Sequence, residues 1–280
     1  ITRREPRTRK SSGAVPRYRL RSEGMMPVIY VPERKFYTPT NKIQVAHHTF
    51  QGVHRYEDDE IWGPDTDIGR SCVLNMRLYD PPVGNDTIAF DRSRYQNHGT
   101  VTGATWGYQG RSFAGGTDVI TLSGTAAKTL DATNGLTLIG WGKPTVTTGN
   151  TDLISRNYYA VGGLSLRSSQ ANGVPQAVIY AGGATRQFTF TGGSMPAGSF
   201  TQIAYTYDNT TNQGFINGLL NNTSAPGWGA IAAGDNNVLI GRSSDSVSFA
   251  GVIGEILIFT RVLSAQEILR IYQSTKWRYS

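Results

Sequence analysis

The chain has 280 residues, enough for one large all-β domain with an appendage or for two small domains. Charged residues make up 17% and there are 33 Gly, a balance that favours short strands and tight turns. The single cysteine, Cys72, excludes an intrachain disulfide, so a packed core must hold the fold. No apolar run reaches the ~18 residues of a membrane-spanning helix. The longest, 253–259, is interrupted by Gly254 and Glu255, and Ile1–Lys10 has no apolar signal core. Cys72 reads as a small buried residue at a strand start.

The charge is unevenly placed. Residues 1–42 hold 11 Lys/Arg and 3 Glu, a charge of +8; the rest hold 16 Lys/Arg and 17 Asp/Glu, a charge of −1. Pro6, Pro16, Pro27, Pro32 and Pro39 punctuate this first segment. Each removes an amide donor and pushes its predecessor toward extended geometry, so no helix fits. Residues 28–31 have room for one short edge strand. Residues 1–42 are therefore expected to form an extended basic arm held by neighbouring protein subunits. Tyr18, Leu20, Met25, Met26, Ile29, Tyr30, Phe36 and Tyr37 are its apolar anchors, and Arg3, Arg4, Arg7 and Arg9 its charged ones. The same arginines with Lys10 could neutralise phosphates, but no nucleic-acid-binding fold stands behind them, so nucleic acid ranks below protein partners.

Residues 43–70 read as a linker. His47, His48 and His54 lie near Glu57, Asp58, Asp59 and Glu60, without zinc-ligand spacing. From residue 71 the pattern becomes regular. Strands are expected over 72–78, 99–106, 119–122, 136–143, 152–156, 163–167, 176–181, 187–191, 201–208, 214–217, 237–242 and 254–260. Most are separated by Gly, Asn, Asp or Pro, the spacing of a sandwich or barrel. Asn217-Gly218 is a favoured hairpin turn. Ser264 with Glu267 three residues later forms a capping box for a closing helix. Trp106, Trp141 and Phe259 are large enough to fill a two-sheet core.

Several segments, in order, carry a resemblance. They are 78–80, then Asp91-Arg-Ser-Arg-Tyr-Gln-Asn97-His98-Gly99, then Gly110-Arg-Ser-Phe-Ala-Gly-Gly-Thr-Asp118. Leu136-Thr-Leu-Ile-Gly-Trp141-Gly-Lys-Pro144, Tyr205–Asp208 with Phe215-Ile-Asn217-Gly218, and Gly254 through Ile268 complete the series. Together they resemble a laminin-G-like jelly-roll domain of the concanavalin A-like lectin/glucanase superfamily, over about 210 residues. The resemblance implies an all-β, two-sheet antiparallel jelly-roll sandwich over 71–280, with a short C-terminal helix. The arm lies outside it.

The superfamily includes glucan hydrolases, which place paired carboxylates on one strand, commonly as Glu-x-Asp-x-x-Glu. That spacing is missing from the sandwich. Glu255 is alone in its strand, and there is no nucleophile elbow or phosphate loop. His98 sits in a turn that the family uses structurally, so no enzyme is expected. Related domains bind calcium on sheet-end loops. By comparison with pentraxins, the matching positions are Asn150, Asp152 and Asp245, although Arg242 and Ser243 stand where further oxygen ligands belong. For a glycan, Trp228 in its Pro-Gly-Trp-Gly loop and Tyr158-Tyr159 are the candidate stacking residues. The sequons at Asn85, Asn209, Asn221 and Asn222 matter only in a secreted eukaryotic setting.

Lys276-Trp-Arg-Tyr279 resembles phage-type versions of the domain. The functional expectation is a non-enzymatic structural or interaction subunit of a large assembly. The first setting is a virion surface, as a capsid decoration, fibre or capsid-associated protein; a cell surface is the other. A glycan-binding lectin module is the alternative, and a glycan hydrolase stands third.

Overall fold

The computed structural model describes residues 66–280, apart from 83, 85, 124–129, 133, 148–150, 158, 169–172 and 246. The expected arm with all its anchors, and residues 43–65 of the expected linker, lie outside the described residues. The end of that linker is helical: α1 (Asp67–Ser71) is capped by Thr66, whose hydroxyl accepts the Gly69 amide at 2.9 Å.

The described strands form two antiparallel sheets. In chain order they are β1 (Cys72–Arg77), β2 (Ile88–Ala89), β3 (Gly99–Thr102), β4 (Thr105–Gly107), β5 (Gly110–Ala114), β6 (Val119–Leu122), β7 (Leu136–Pro144) and β8 (Thr151–Arg156). They continue with β9 (Leu164–Ser168), β10 (Pro175–Ala181), β11 (Ala184–Thr189), β12 (Thr201–Tyr207), β13 (Asn212–Ile216), β14 (Leu219–Ser224), β15 (Val238–Ile240) and β16 (Ala250–Phe259). Sheet I runs β14-β13-β12-β7-β16-β5-β4, with β1 also paired to β16; sheet II runs β11-β10-β9-β8-β15-β6-β3-β2. The first residues of β16 pair with β5 and its later residues with β1, while β7 runs along its other side.

Alternation along these strands builds two cores. Leu138, Ile203, Tyr205, Ile256 and Ile258 of sheet I meet Ile120, Ile154, Leu166, Ile179 and Val238 of sheet II inside the sandwich. The intervening residues Ile139, Ala204, Phe215, Leu257 and Phe259 form a second core on the outer face of sheet I, with Ile68, Cys72, Leu263, Ile268 and Ile271. Each fully buried Val, Leu, Ile or Phe among them contributes about 1.5–3 kcal/mol. The expected Cys72 packing role holds: the thiol is buried, and that burial raises its pKa.

The cover over the second core is α2 (Ala265–Thr275). Its capping box is complete: Ser264 accepts the Glu267 amide, and Glu267 accepts the Ser264 amide at 2.8 Å. The Arg261 guanidinium, 2.5 Å from Glu267, is the chief reason that this carboxyl falls from 4.5 to about 2. Thr137 of β7 ties the approach to the sheet, donating to the Arg261 carbonyl and accepting the Leu263 amide.

The Asp91–Gly99 segment proves to be a buried polar turn. The Asp91 carboxylate accepts the amides of Asn75, Ser93 and Asn97 and the Ser93 hydroxyl, at 2.7–2.8 Å. Asn97 donates to the Val73 carbonyl at 3.0 Å, so the turn is pinned to β1. His98 Nδ1 accepts the Asp91 amide at 3.2 Å, a structural role. A Cβ on Gly99 would come within 2.4 Å of Ile120.

Three expectations need correction. The single strand over 99–106 is two strands in different sheets, split at Gly103, whose φ is +76°. Trp106 is 39% exposed, outside the core. Trp141 and Phe259 are buried, but on the outer face of sheet I. Strands β2, β5 and β14 were not expected. The Asn217-Gly218 turn is as expected: both φ values are positive, joining β13 to β14.

Replacing Asp91 by Ala leaves buried amides without their acceptor. Urea unfolding is expected to show a loss of about 3 kcal/mol. A loss below about 0.5 kcal/mol would mean that this turn does not help hold β1.

Candidate functional site

Two carboxylates lie fully buried in the strands, and they occupy opposite faces of the sandwich. Asp152 of β8 stands opposite Arg167 of β9 and accepts the Ser165 hydroxyl; the Thr151 and Ser168 hydroxyls bond to each other on the same pair of strands. Leu164 and Leu166 point inward, so Ser165 and Asp152 lie on the outer face of sheet II. Burial pushes Asp152 from 3.8 up to about 7; Ser165 and Arg167 oppose the shift and Asp245 adds to it. Glu255 of β16 stands opposite Arg77 and Trp141 in sheet I. It raises the phenols of Tyr79 and Tyr279, for which burial is the larger cause. Two sheets separate Asp152 from Glu255, whereas a glycosidase pair must flank one bond from one cleft.

The loop after β15 closes on itself. Asp245 accepts the Ser243 hydroxyl, Ser243 N donates to the Val247 carbonyl at 2.7 Å, and Ser155 of β8 donates to the Arg242 carbonyl at 2.9 Å. Asp245 is exposed while Asp152 is buried. Among the described residues no group of three or more His, Cys, Asp or Glu could hold a metal ion. Calcium wants six to eight oxygens, and this donor set with Arg167 beside it does not fit. Asn150 lies outside the described residues.

The described stacking candidates differ in setting. Trp228 is half-buried against the sandwich core, its ring centroid 5.8 Å from that of Tyr207. The Tyr207 hydroxyl donates to the Gly229 carbonyl at 2.8 Å, and the Gly229 amide to the Asn209 carbonyl at 2.9 Å. Trp228 thus covers one end of the core. Tyr159 is 57% exposed in the β8–β9 loop, at φ +63°. Arg156 anchors that loop, donating to the Gly162 and Gly234 carbonyls and pairing with Asp131 at 2.8 Å. Tyr158 lies outside the described residues.

Sequence reasoning missed an aromatic assembly at the C-terminus. The Trp141 ring stacks on Tyr279 at 4.4 Å and on Tyr272 at 5.6 Å, and its indole N–H donates to the Thr275 hydroxyl at 3.0 Å. A Cβ on Gly254 would come within 2.3 Å of the Tyr279 ring, so Gly254 is the seat of that ring. The Lys276-Trp-Arg-Tyr279 sequence was the available signal.

These features define a lectin-like jelly roll with exposed aromatic side chains on its loops and rims. A family model described as the concanavalin A-like lectin/glucanases superfamily matches residues 114–269, and the chain belongs to that family. No curated protein matches the sequence. Among solved structures, the botulinum neurotoxin serotype G binding domain is similar at TM-score 0.54 and 17% identity, over 72% of this chain and 50% of that one. The binding domain of Paraclostridial Mosquitocidal Protein 1 is similar at TM-score 0.55 and 12% identity, over 73% and 52%. The botulinum neurotoxin serotype D ligand-binding domain in complex with N-acetylneuraminic acid is similar at 0.53 and 14%, over 72% and 50%. The chain spans about half the length of these structures. The likeness is one of fold. No helix among the described residues is long and apolar enough to cross a membrane.

The folded pKa of Asp152 lies above its unfolded value, so the folded state holds the proton longer. Wild-type stability is therefore expected to fall, relative to Asp152→Asn, as pH rises from about 4 to about 7, and to level off above that. Urea midpoints across this range check it; parallel curves for the two proteins would contradict it.

Proposed function

We propose that the chain is a non-enzymatic interaction subunit of a large assembly, anchored by the basic arm at 1–42 and displaying the sandwich outward, with a virion surface as the assembly. The observation that carries the binding reading is the placement of the buried strand carboxylates. Asp152 and Glu255 sit on opposite outer faces with the whole sandwich between them, so the pair cannot act on one bond. The family and the binding-domain neighbours agree with recognition as the task. The arm supports tethering: it carries +8 against −1 for the remainder, and its prolines favour an extended course along a partner.

A glycan is the ligand class of the second reading. One structural neighbour is a complex with N-acetylneuraminic acid, and this chain leaves several large aromatic side chains exposed. The sandwich in this reading is a lectin module that recognises a surface saccharide, and tethering and recognition operate together.

Limited trypsin digestion tests the tether. Cleavage after Arg9, Arg21 and Lys42 is expected to be rapid in the purified chain and suppressed in the native particle. Equal protection in both would mean that the arm needs no partner, and the assembly reading would fall.

A further inference from the structure

One partly exposed aromatic cluster lies outside both cores. It lies at the β4 edge of sheet I, where the C-terminal segment crosses the end of β1. Trp106 of β4 donates its indole N–H to the Tyr79 carbonyl at 3.1 Å. The Arg278 guanidinium carbon lies 4.6 Å from the centroid of the Tyr79 ring and 4.6 Å from that of Trp277. Gln109, in the β4–β5 turn, donates to the Arg278 carbonyl at 3.1 Å and holds the two segments together. Tyr108 stands beside it in that turn, 81% exposed, while Trp106 is 39% and Trp277 45% exposed.

We infer that this rim is a binding site for a carboxylate-bearing saccharide. The inference rests on the glycan reading and gives it a location and a ligand class. Three large aromatic side chains left partly in water at one edge make an exposed apolar patch, and such patches mark interaction sites. Aromatic faces accept the apolar C–H face of a pyranose ring. The guanidinium, oriented by two rings, presents the planar fork that matches a carboxylate. Of the neighbouring carboxylates, Asp80, next to Tyr79, is paired with Arg92 at 2.8 Å, and Glu255 is buried in β16 opposite Arg77. Trp228, by contrast, spends its ring on the core.

Isothermal titration of the full chain with 3′-sialyllactose, digalacturonic acid and lactose tests the site. An acidic sugar is expected to bind about tenfold or more tighter than lactose, and the two acids distinguish a sialic acid from a uronic acid. Arg278→Lys is expected to weaken the acidic sugar about tenfold and to leave lactose unchanged. Tyr108→Ala, at a side chain too exposed to matter for folding, is expected to weaken all of them. Equal affinity for acidic and neutral sugars would overturn the carboxylate assignment. Binding unaffected by Tyr108→Ala and Arg278→Lys but lost in Trp228→Ala would overturn the site and leave the glycan reading standing. Binding of no sugar by the wild type would remove both. Release of a Tyr108→Ala chain from its native particle, without any sugar binding, would make the rim a protein contact and overturn the inference.

Discussion

Strand β16 is buried on both faces, and the described sandwich is arranged around that fact. Ile253, Ile256 and Ile258 fill the sandwich, which leaves Leu257 and Phe259 pointing away from it. An antiparallel sheet can leave one face to water only when that face is polar. Leu257 and Phe259 make this one largely apolar, so a second layer has to cover it. The capped helix α2, the short α1 and the C-terminal aromatic residues supply that layer.

Polar groups inside the molecule follow the same economy. Asp91 satisfies three amides and a hydroxyl in one turn, and Arg156 ties three loops by their carbonyls and a carboxylate. Such groups fix loop geometry because an unsatisfied buried donor or acceptor is costly. With its buried carboxylates engaged in structure, the sandwich has its exposed chemistry at its rims. Closing the second core also builds one of those rims. Tyr279 packs on Trp141, and this leaves the preceding Trp277 and Arg278 beside Tyr79 and Trp106.

Much of the fold was legible from alternation and turn chemistry. The Asn217-Gly218 hairpin, the Ser264 capping box and the apolar runs of β7, β12 and β16 all declare themselves locally. The second core was not legible, because a strand buried on both faces reads as a plain apolar run with no indication of what lies on each side. For the same reason Trp141 was placed between the sheets. Trp106 was misplaced because a single glycine, Gly103, passes the chain from one sheet to the other, and nothing in the pattern marks that switch. The candidate sites were less legible still. Trp228 has the loop setting of a sugar-binding residue, yet its contacts with Tyr207 come from distant strands. The Arg278 cluster joins residues about 200 positions apart, beyond the reach of any local motif.

Closing the second core sets Trp106, Tyr79, Trp277 and Arg278 at one rim, the surface inferred above to hold an acidic saccharide. The chain has five tryptophans, so its indole N–H resonances give a direct reading by nuclear magnetic resonance. During titrations with 3′-sialyllactose and with digalacturonic acid, one of the two is expected to move the signals of Trp106 and Trp277 together, while that of Trp141, bonded to Thr275 in the second core, stays in place. Movement of the Trp228 signal alone, or of none of the five with either acid, would mean that this rim does not hold the sugar.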